Sequence, residues 1–208
     1  MTESEEKTHQ PLIAHLQELR RRLLWAFLAM GGGTVLCLFF AKEIYGILVR
    51  PLAAAMGPHD TQRLIYTGLT EAFMTYMKVA FFAGVILTLP ILLSQIWMFI
   101  APGLYKNERK AFMPFLVATP LLFFAGAAMA YFIVMPAAYP FFLGFQSTAA
   151  ETVLPIQLEA RIGDYLNLVM SLMFAFGLCF ELPVLLLLLG RAGIVTAESL
   201  VKFRRFAI

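Results

Sequence analysis

Two carboxylates in this chain lie beside long apolar segments, where they are placed to bind a cationic group. Glu18 belongs to the run His15-Leu-Gln-Glu-Leu-Arg-Arg-Arg-Leu-Leu24, which leads into the first apolar segment. Glu108 belongs to the charged turn Trp97-Met-Phe-Ile-Ala-Pro-Gly-Leu-Tyr-Lys-Asn-Glu-Arg-Lys110, which separates two further apolar segments. A carboxylate pairs with a guanidinium in a two-pronged geometry that the ammonium group of lysine does not reproduce. Each carboxylate could therefore pair with an arginine, either of this chain or of another molecule.

Each carboxylate also has an ordinary local explanation. Glu18 is four residues before Arg22, a spacing at which a surface helix pair contributes about 0.3–0.5 kcal/mol. Asn107 is placed to cap the following helix, with Glu108 in its first turn, where a negative charge is favourable. The sequence leaves both explanations open for each residue.

A third acid, Glu181, lies inside an apolar segment. Inserting an ionisable group there costs about 2.5–3.5 kcal/mol on translocon scales, so we expect it to face protein or water rather than lipid. Pro183 follows it and frees the carbonyl of Cys179 from its helical hydrogen bond. A polar residue satisfied locally beside a kink is the alternative.

The composition predicts an all-α, polytopic membrane protein. Hydrophobic residues make up 61% of the chain and charged residues 14%, and the mean hydropathy is +0.79. These values exclude an ordinary soluble domain. The net charge of +3 does not indicate a nucleic-acid partner, since the positions of the basic residues matter more than their sum.

Four segments approach or exceed the length of about 20 residues that crosses a bilayer as a helix. They are residues 23–41, 73–100, 112–135 and 165–189. The segments between and around them are a lead-in at 1–22, an outer loop at 42–72, a cytoplasmic loop at 101–111, an outer loop at 136–164, a cytoplasmic loop at 190–205 and the start of a fifth span at 206–208. We expect Pro136 and Pro140 to mark the outer turn after the third span, and a short amphipathic helix around Ile44–Leu52 in the first outer loop.

The distribution of basic residues predicts the orientation. Of the 16 lysines and arginines, eleven fall in the lead-in and in the loops 101–111 and 190–205, against five elsewhere. The positive-inside rule therefore places the N-terminus in the cytoplasm.

The polar residues of the spans argue against an enzyme. We find no serine–histidine or aspartate pair and no zinc-binding spacing within them, and we expect no metal or cofactor. A secondary transporter would show repeated halves, which are not apparent here. A proton-coupled carrier that uses Glu181 remains the alternative function.

Three runs of the sequence resemble the TatC family. They are His15–Leu24, Trp97–Arg109 and Phe176-Gly-Leu-Cys-Phe-Glu-Leu-Pro183. TatC is the multispanning receptor subunit of the twin-arginine protein translocase, located in the bacterial cytoplasmic (inner) membrane. The family has six spans, so the resemblance implies that this chain is part of a longer protein.

The resemblance also implies roles for individual residues. The partners would be the twin-arginine signal peptides of folded cargo proteins, the single-span subunits TatA and TatB, the lipid bilayer and further copies of the same chain. Glu181 would serve assembly with the single-span subunits, while Pro51 and Tyr131 would serve structure or assembly. The residues implied in signal-peptide binding are Glu18, Arg20, Phe99, Leu104, Tyr105, Lys106 and Glu108.

Overall fold

The computed structural model describes residues 3–56, 63–100, 109–147, 154 and 158–191, and side chains within 16–56, 63–96, 117–147, 154, 158–187 and 190. Six α-helices and one π turn account for most of these residues. They are α1 (Glu3–Phe39), α2 (Ala41–Met56), α3 (Glu71–Ile100), α4 (Arg109–Met129), the π turn (Ala130–Val134), α5 (Met135–Leu143) and α6 (Ile162–Arg191).

Four stretches of these helices have the length and apolar composition of membrane spans. They are Leu16–Phe39, Glu71–Ile96, Val117–Leu143 and Ile162–Leu187. The described part of the chain thus forms an all-helical membrane bundle, as the composition predicts. The segment predicted as an amphipathic helix is α2, whose buried residues are Ala41, Leu48, Pro51 and Leu52.

The boundaries of the first and last spans differ from those predicted. The described part of the lead-in, from residue 3, continues into the first span as one helix, α1, which ends at Phe39. Helix α6 extends beyond both ends of the predicted span 165–189. The backbone hydrogen bonds of a helix are made within the helix, so a helix can continue past the point where the hydropathy of the sequence changes.

The prediction that Pro136 and Pro140 mark a turn after Met135 is wrong. The helix continues through both prolines to Leu143, and the π turn immediately precedes Pro136. In this turn Met135 N–H donates to Ala130 O, one residue further back than in an α-helix. Such local widening accommodates proline in membrane helices, because it relaxes the clash with the preceding turn and re-satisfies freed backbone groups.

Glycines allow a close contact between α1 and α3. A Cβ atom added to Gly33 of α1 would lie 2.6 Å from Thr88 Cγ2 of α3, and one added to Gly84 would lie 2.6 Å from Thr34 N. By contrast, Gly31 and Gly32 have nothing within 4 Å of such an atom among the described residues. Of the consecutive glycines Gly31, Gly32 and Gly33, only Gly33 therefore lies at a close helix contact among the described residues.

Helix α2 packs over a core that it forms with α3, α5 and α6. Leu48 and Leu52 are buried against Val79 of α3 and Leu166 of α6. The segment before α3 and the segment before α6 also pair, since Ile65 N–H donates to Ala160 O at 3.0 Å and Ile162 N–H donates to Ile65 O at 2.9 Å. These contacts hold the loops 42–72 and 136–164 together at the same end of the bundle.

Candidate functional site

Glu18 lies on α1 and forms an ion pair with Arg22 of the same helix. Its Oε1 atom accepts a hydrogen bond from Arg22 Nε at 3.1 Å and a second, shorter one from Nη2. The Glu18 side chain is 35% exposed and the Arg22 side chain 20% exposed. The pair is therefore accessible, and an incoming guanidinium would have to share the carboxylate with Arg22.

The other residues implied in signal-peptide binding fall partly outside the described residues. Arg20 lies on α1, midway along the chain between the two members of the ion pair, and is exposed. Phe99 belongs to the last turn of α3, but its side chain is outside the described residues. Leu104, Tyr105, Lys106 and Glu108 also lie outside them. Their roles stay predictions, and the distance between Glu108 and Glu18 lies outside the described part of the chain.

Glu181 faces α4 from the middle of α6. Its carboxyl lies within hydrogen-bonding reach of the Thr119 side chain and of the Phe123 backbone, and Thr119 itself is buried. Oε1 of Glu181 is also buried and has no hydrogen-bond partner in the part of the chain that the structure describes. The carboxyl therefore does not point into lipid away from the protein, in agreement with the expected penalty for an ionisable group in hydrocarbon.

Small residues explain why Glu181 reaches α4. A Cβ atom added to Gly126 of α4 would overlap the Phe176 carbonyl of α6, and one added to Gly177 would lie 2.6 Å from Phe123 Cε2. Gly177 is one helical turn before Glu181 and therefore lies on the same face of α6. The two backbones approach at this glycine pair, and the next turn of α6 brings the carboxyl against α4.

The unpaired oxygen gives this site a definite chemical capacity. A buried polar atom without a partner is unfavourable, because its desolvation is not compensated. The oxygen can accept a hydrogen bond from a donor on another helix, or carry the proton of a neutral carboxyl group.

Pro51 and Tyr131 meet at one carbonyl of α2. Tyr131 Oη donates a hydrogen bond to Ile47 O at 2.6 Å. Ile47 is four residues before Pro51, so its carbonyl is the one that a residue with an N–H at position 51 would satisfy. The two residues implied in structure or assembly therefore act on the same carbonyl of α2, because Pro51 leaves it without its helical donor and Tyr131 donates to it.

Sequence reasoning missed an ion pair between the two outer segments. Arg161 Nη2 lies 3.2 Å from Glu71 Oε2 and donates to Thr67 Oγ1 at 2.8 Å. Glu71 Oε2 also accepts from the backbone N–H groups of Thr67 and Gly68, at 2.9 and 3.2 Å. The contacts of Glu71 with Thr67 and Gly68 are local in the sequence, whereas the approach of Arg161 depends on the fold.

Comparisons with known proteins agree with this architecture. The family model described as "Sec-independent protein translocase protein (TatC)" matches residues 14–208. A TatC of Magnetococcus marinus is 49% identical over 198 residues, which cover 95% of this chain and 70% of that protein. The TatC of Escherichia coli K12 is 41% identical over 199 residues, or 96% of this chain and 74% of that protein.

Solved structures show the same similarity. A crystal structure of the twin arginine translocase receptor TatC, determined in DDM, superposes with a TM-score of 0.78 at 37% identity. The superposition covers 92% of this chain and 82% of the other. From the helical membrane bundle and these matches over nearly its whole length, the chain belongs to the TatC family of Sec-independent protein translocase proteins.

Proposed function

We propose that this chain is the receptor core of the twin-arginine translocase and binds the paired arginines of signal peptides at the cytoplasmic face of the inner membrane. The observation that carries the proposal is the accessible carboxylate of Glu18, near the N-terminal end of the apolar span Leu16–Phe39 of α1. The structure similar to this chain is described as a twin arginine translocase receptor. The excess of basic residues in the lead-in and in the loop around Glu108 supports the cytoplasmic orientation.

Two adjacent arginines call for two carboxylates on one surface. A charge-assisted hydrogen bond contributes about 1.5–3 kcal/mol when it is partly desolvated, and less in open water. Glu108 immediately precedes the first residue of α4, Arg109, and Glu18 lies near the N-terminal end of the apolar span of α1. Both therefore belong to span ends that the positive-inside rule assigns to the same side.

The Glu18–Arg22 ion pair gives the two carboxylates unequal roles. A signal-peptide arginine that reaches Glu18 has to compete with Arg22 Nε and Nη2. Displacement of an existing partner offsets part of the gain from the new one. Glu108 therefore contributes more to peptide affinity than Glu18, with Arg20, Phe99, Leu104, Tyr105 and Lys106 shaping the surface around them.

Assembly with single-span subunits of the TatA and TatB type is the second part of the proposal. The buried and unpaired Oε1 of Glu181 supports a docking site for a polar side chain of such a subunit, beside α4. An interhelical hydrogen bond in hydrocarbon contributes about 0.6–2 kcal/mol. That range suits reversible association. We also propose that several copies of the chain form the receptor complex.

The experiment that tests recognition compares two signal peptides that differ only in an arginine or a lysine pair. The peptides are titrated at low salt into nanodiscs that contain the wild-type protein, Glu108→Gln, Glu18→Gln or the control Glu43→Gln. Glu43 is an exposed acid at the start of α2. We expect Glu108→Gln to weaken binding of the arginine peptide about tenfold, from the loss of one charge-assisted hydrogen bond.

Glu18→Gln should have a smaller effect and Glu43→Gln none, and the lysine peptide should bind weakly to all four proteins. Site-specific crosslinking from the region between Phe99 and Glu108 to the arginine peptide should report the same order. Equal affinity of the arginine peptide for wild type, Glu108→Gln and Glu18→Gln would reject this function for the two carboxylates.

A further inference from the structure

Pro51 leaves an acceptor without its helical donor in the middle of α2. The helix runs from Ala41 to Met56 with Pro51 inside it. Proline has no N–H, so the carbonyl four residues earlier, that of Ile47, loses its regular α-helical hydrogen bond. An unpaired carbonyl is unfavourable wherever water does not reach it.

Tyr131 provides a hydrogen bond at this position from a distant part of the chain. Its hydroxyl donates to Ile47 O at 2.6 Å across 84 residues of sequence. Tyr131 belongs to the π turn between α4 and α5, so the bond joins α2 directly to the third span. Pro51 itself is buried in α2. The hydrogen bond from Tyr131 replaces the one that the proline cannot make, which explains how the proline is tolerated there.

We infer that Tyr131 is a positioning residue, which holds α2 on the bundle by supplying the hydrogen bond that Pro51 cannot make. The two residues form one functional unit, because proline creates the free acceptor and the tyrosine hydroxyl donates to it. Removing the tyrosine hydroxyl removes the protein donor to this exposed carbonyl, and restoring an N–H at position 51 makes the hydroxyl dispensable. This inference concerns the placement of α2 and does not depend on signal-peptide binding.

A neighbouring hydrogen bond offers a matched comparison. Tyr165 Oη donates to Leu48 O at 2.8 Å, and Tyr139 Oη lies 3.3 Å from Tyr165 Oη. Leu48 is four residues before Leu52, which has its own N–H. The acceptor of Tyr165 was therefore not freed by a proline, and the effect of Tyr165→Phe should be independent of the residue at position 51.

The test is a double-mutant cycle on the purified protein in detergent. Tyr131→Phe is made in the wild-type background and in the Pro51→Ala background, and the apparent Tm of each variant is measured. In the wild-type background we expect a fall of about 2–4 °C, the shift for losing one hydrogen bond in a chain of this size. In the Pro51→Ala background the same change should shift Tm by less than about 1 °C, because the backbone N–H restored at position 51 then satisfies Ile47 O.

Hydrogen–deuterium exchange of the α2 amides provides the local readout. Tyr131→Phe should accelerate exchange in α2, and adding Pro51→Ala should restore slow exchange. Tyr165→Phe should shift Tm equally in both backgrounds. If Tyr131→Phe lowers Tm equally in both backgrounds, or if Tyr131→Phe fails to fold and Pro51→Ala does not rescue it, the coupling is refuted.

Discussion

Replacement of Glu181 tests whether its buried oxygen binds a partner or serves the fold. The carboxyl contacts Thr119 and the backbone of Phe123 on α4, and its Oε1 atom has no hydrogen-bond partner within the described helices. Glu181→Ala removes both oxygens, whereas Glu181→Gln keeps an acceptor and adds a donor in a side chain of the same shape. The two variants therefore separate hydrogen bonding from charge.

The expected magnitude follows from one interhelical hydrogen bond. Losing about 0.6–2 kcal/mol in hydrocarbon corresponds to a weakening of partner binding by about 3- to 30-fold. Glu181→Gln should lose less, because an amide still accepts a hydrogen bond. Glu181→Ala also removes the contacts of the carboxyl with Thr119 and the Phe123 backbone, so the apparent Tm of each isolated variant is measured beside its partner binding.

The assay titrates a labelled TatB-type single-span subunit into nanodiscs that contain each variant and measures Kd by energy transfer. Asn167→Ala is the control, because Asn167 is an exposed polar residue of the same helix, about 21 Å along its axis from Glu181. Twin-arginine peptide binding should stay unchanged in all variants.

Two results would refute this reasoning about Glu181. One is an unchanged partner Kd in Glu181→Ala. The other is a loss in Asn167→Ala that equals the loss in Glu181→Ala. A proton-coupled carrier predicts a different pattern, in which Glu181→Gln abolishes transport as completely as Glu181→Ala because neither side chain titrates.

Two further predictions concern packing and the ion pair. Gly126→Ala should lower the apparent Tm by about 2–10 °C, because its Cβ would overlap the rigid Phe176 carbonyl. Gly31→Ala is the control and should not lower the apparent Tm, since no described residue lies near that position. Equal falls in the two variants would contradict the close contact at Gly126. Arg22→Gln should tighten arginine-peptide binding about twofold by releasing the Glu18 carboxylate, measured as a Kd at low salt. In a Glu18→Gln background Arg22→Gln should have a smaller effect, and equal effects in both backgrounds would show that the peptide does not compete with Arg22.

The sequence alone was sufficient to predict the membrane class and the family. Long apolar segments leave few alternatives to membrane helices, because backbone groups in hydrocarbon have to be satisfied within the segment. Local spacing was also sufficient for the Glu18–Arg22 pair, which the helix itself brings together. The motif Phe176–Pro183 singled out Glu181 because a carboxyl in an apolar run is costly.

Contacts between distant segments required the tertiary structure. No local pattern indicates that Tyr131 donates to Ile47 O or that Arg161 reaches Glu71, because these hydrogen bonds join residues more than 80 positions apart. The third span was predicted to end at Met135 because proline usually terminates helices, and the π turn that accommodates Pro136 is itself a product of packing.

The orientation of side chains within the bundle also depends on the tertiary structure. Hydropathy identifies α4 and α6 as apolar helices. It does not predict which face of such a helix packs against protein, because lipid and protein interior are equally apolar. Only the approach of Gly126 to Phe176 and of Gly177 to Phe123 decides which faces meet. That contact turns Glu181 towards Thr119. The sequence shows only that this acid is unusual, whereas the structure shows that its Oε1 atom is buried between two helices without a partner among the described residues.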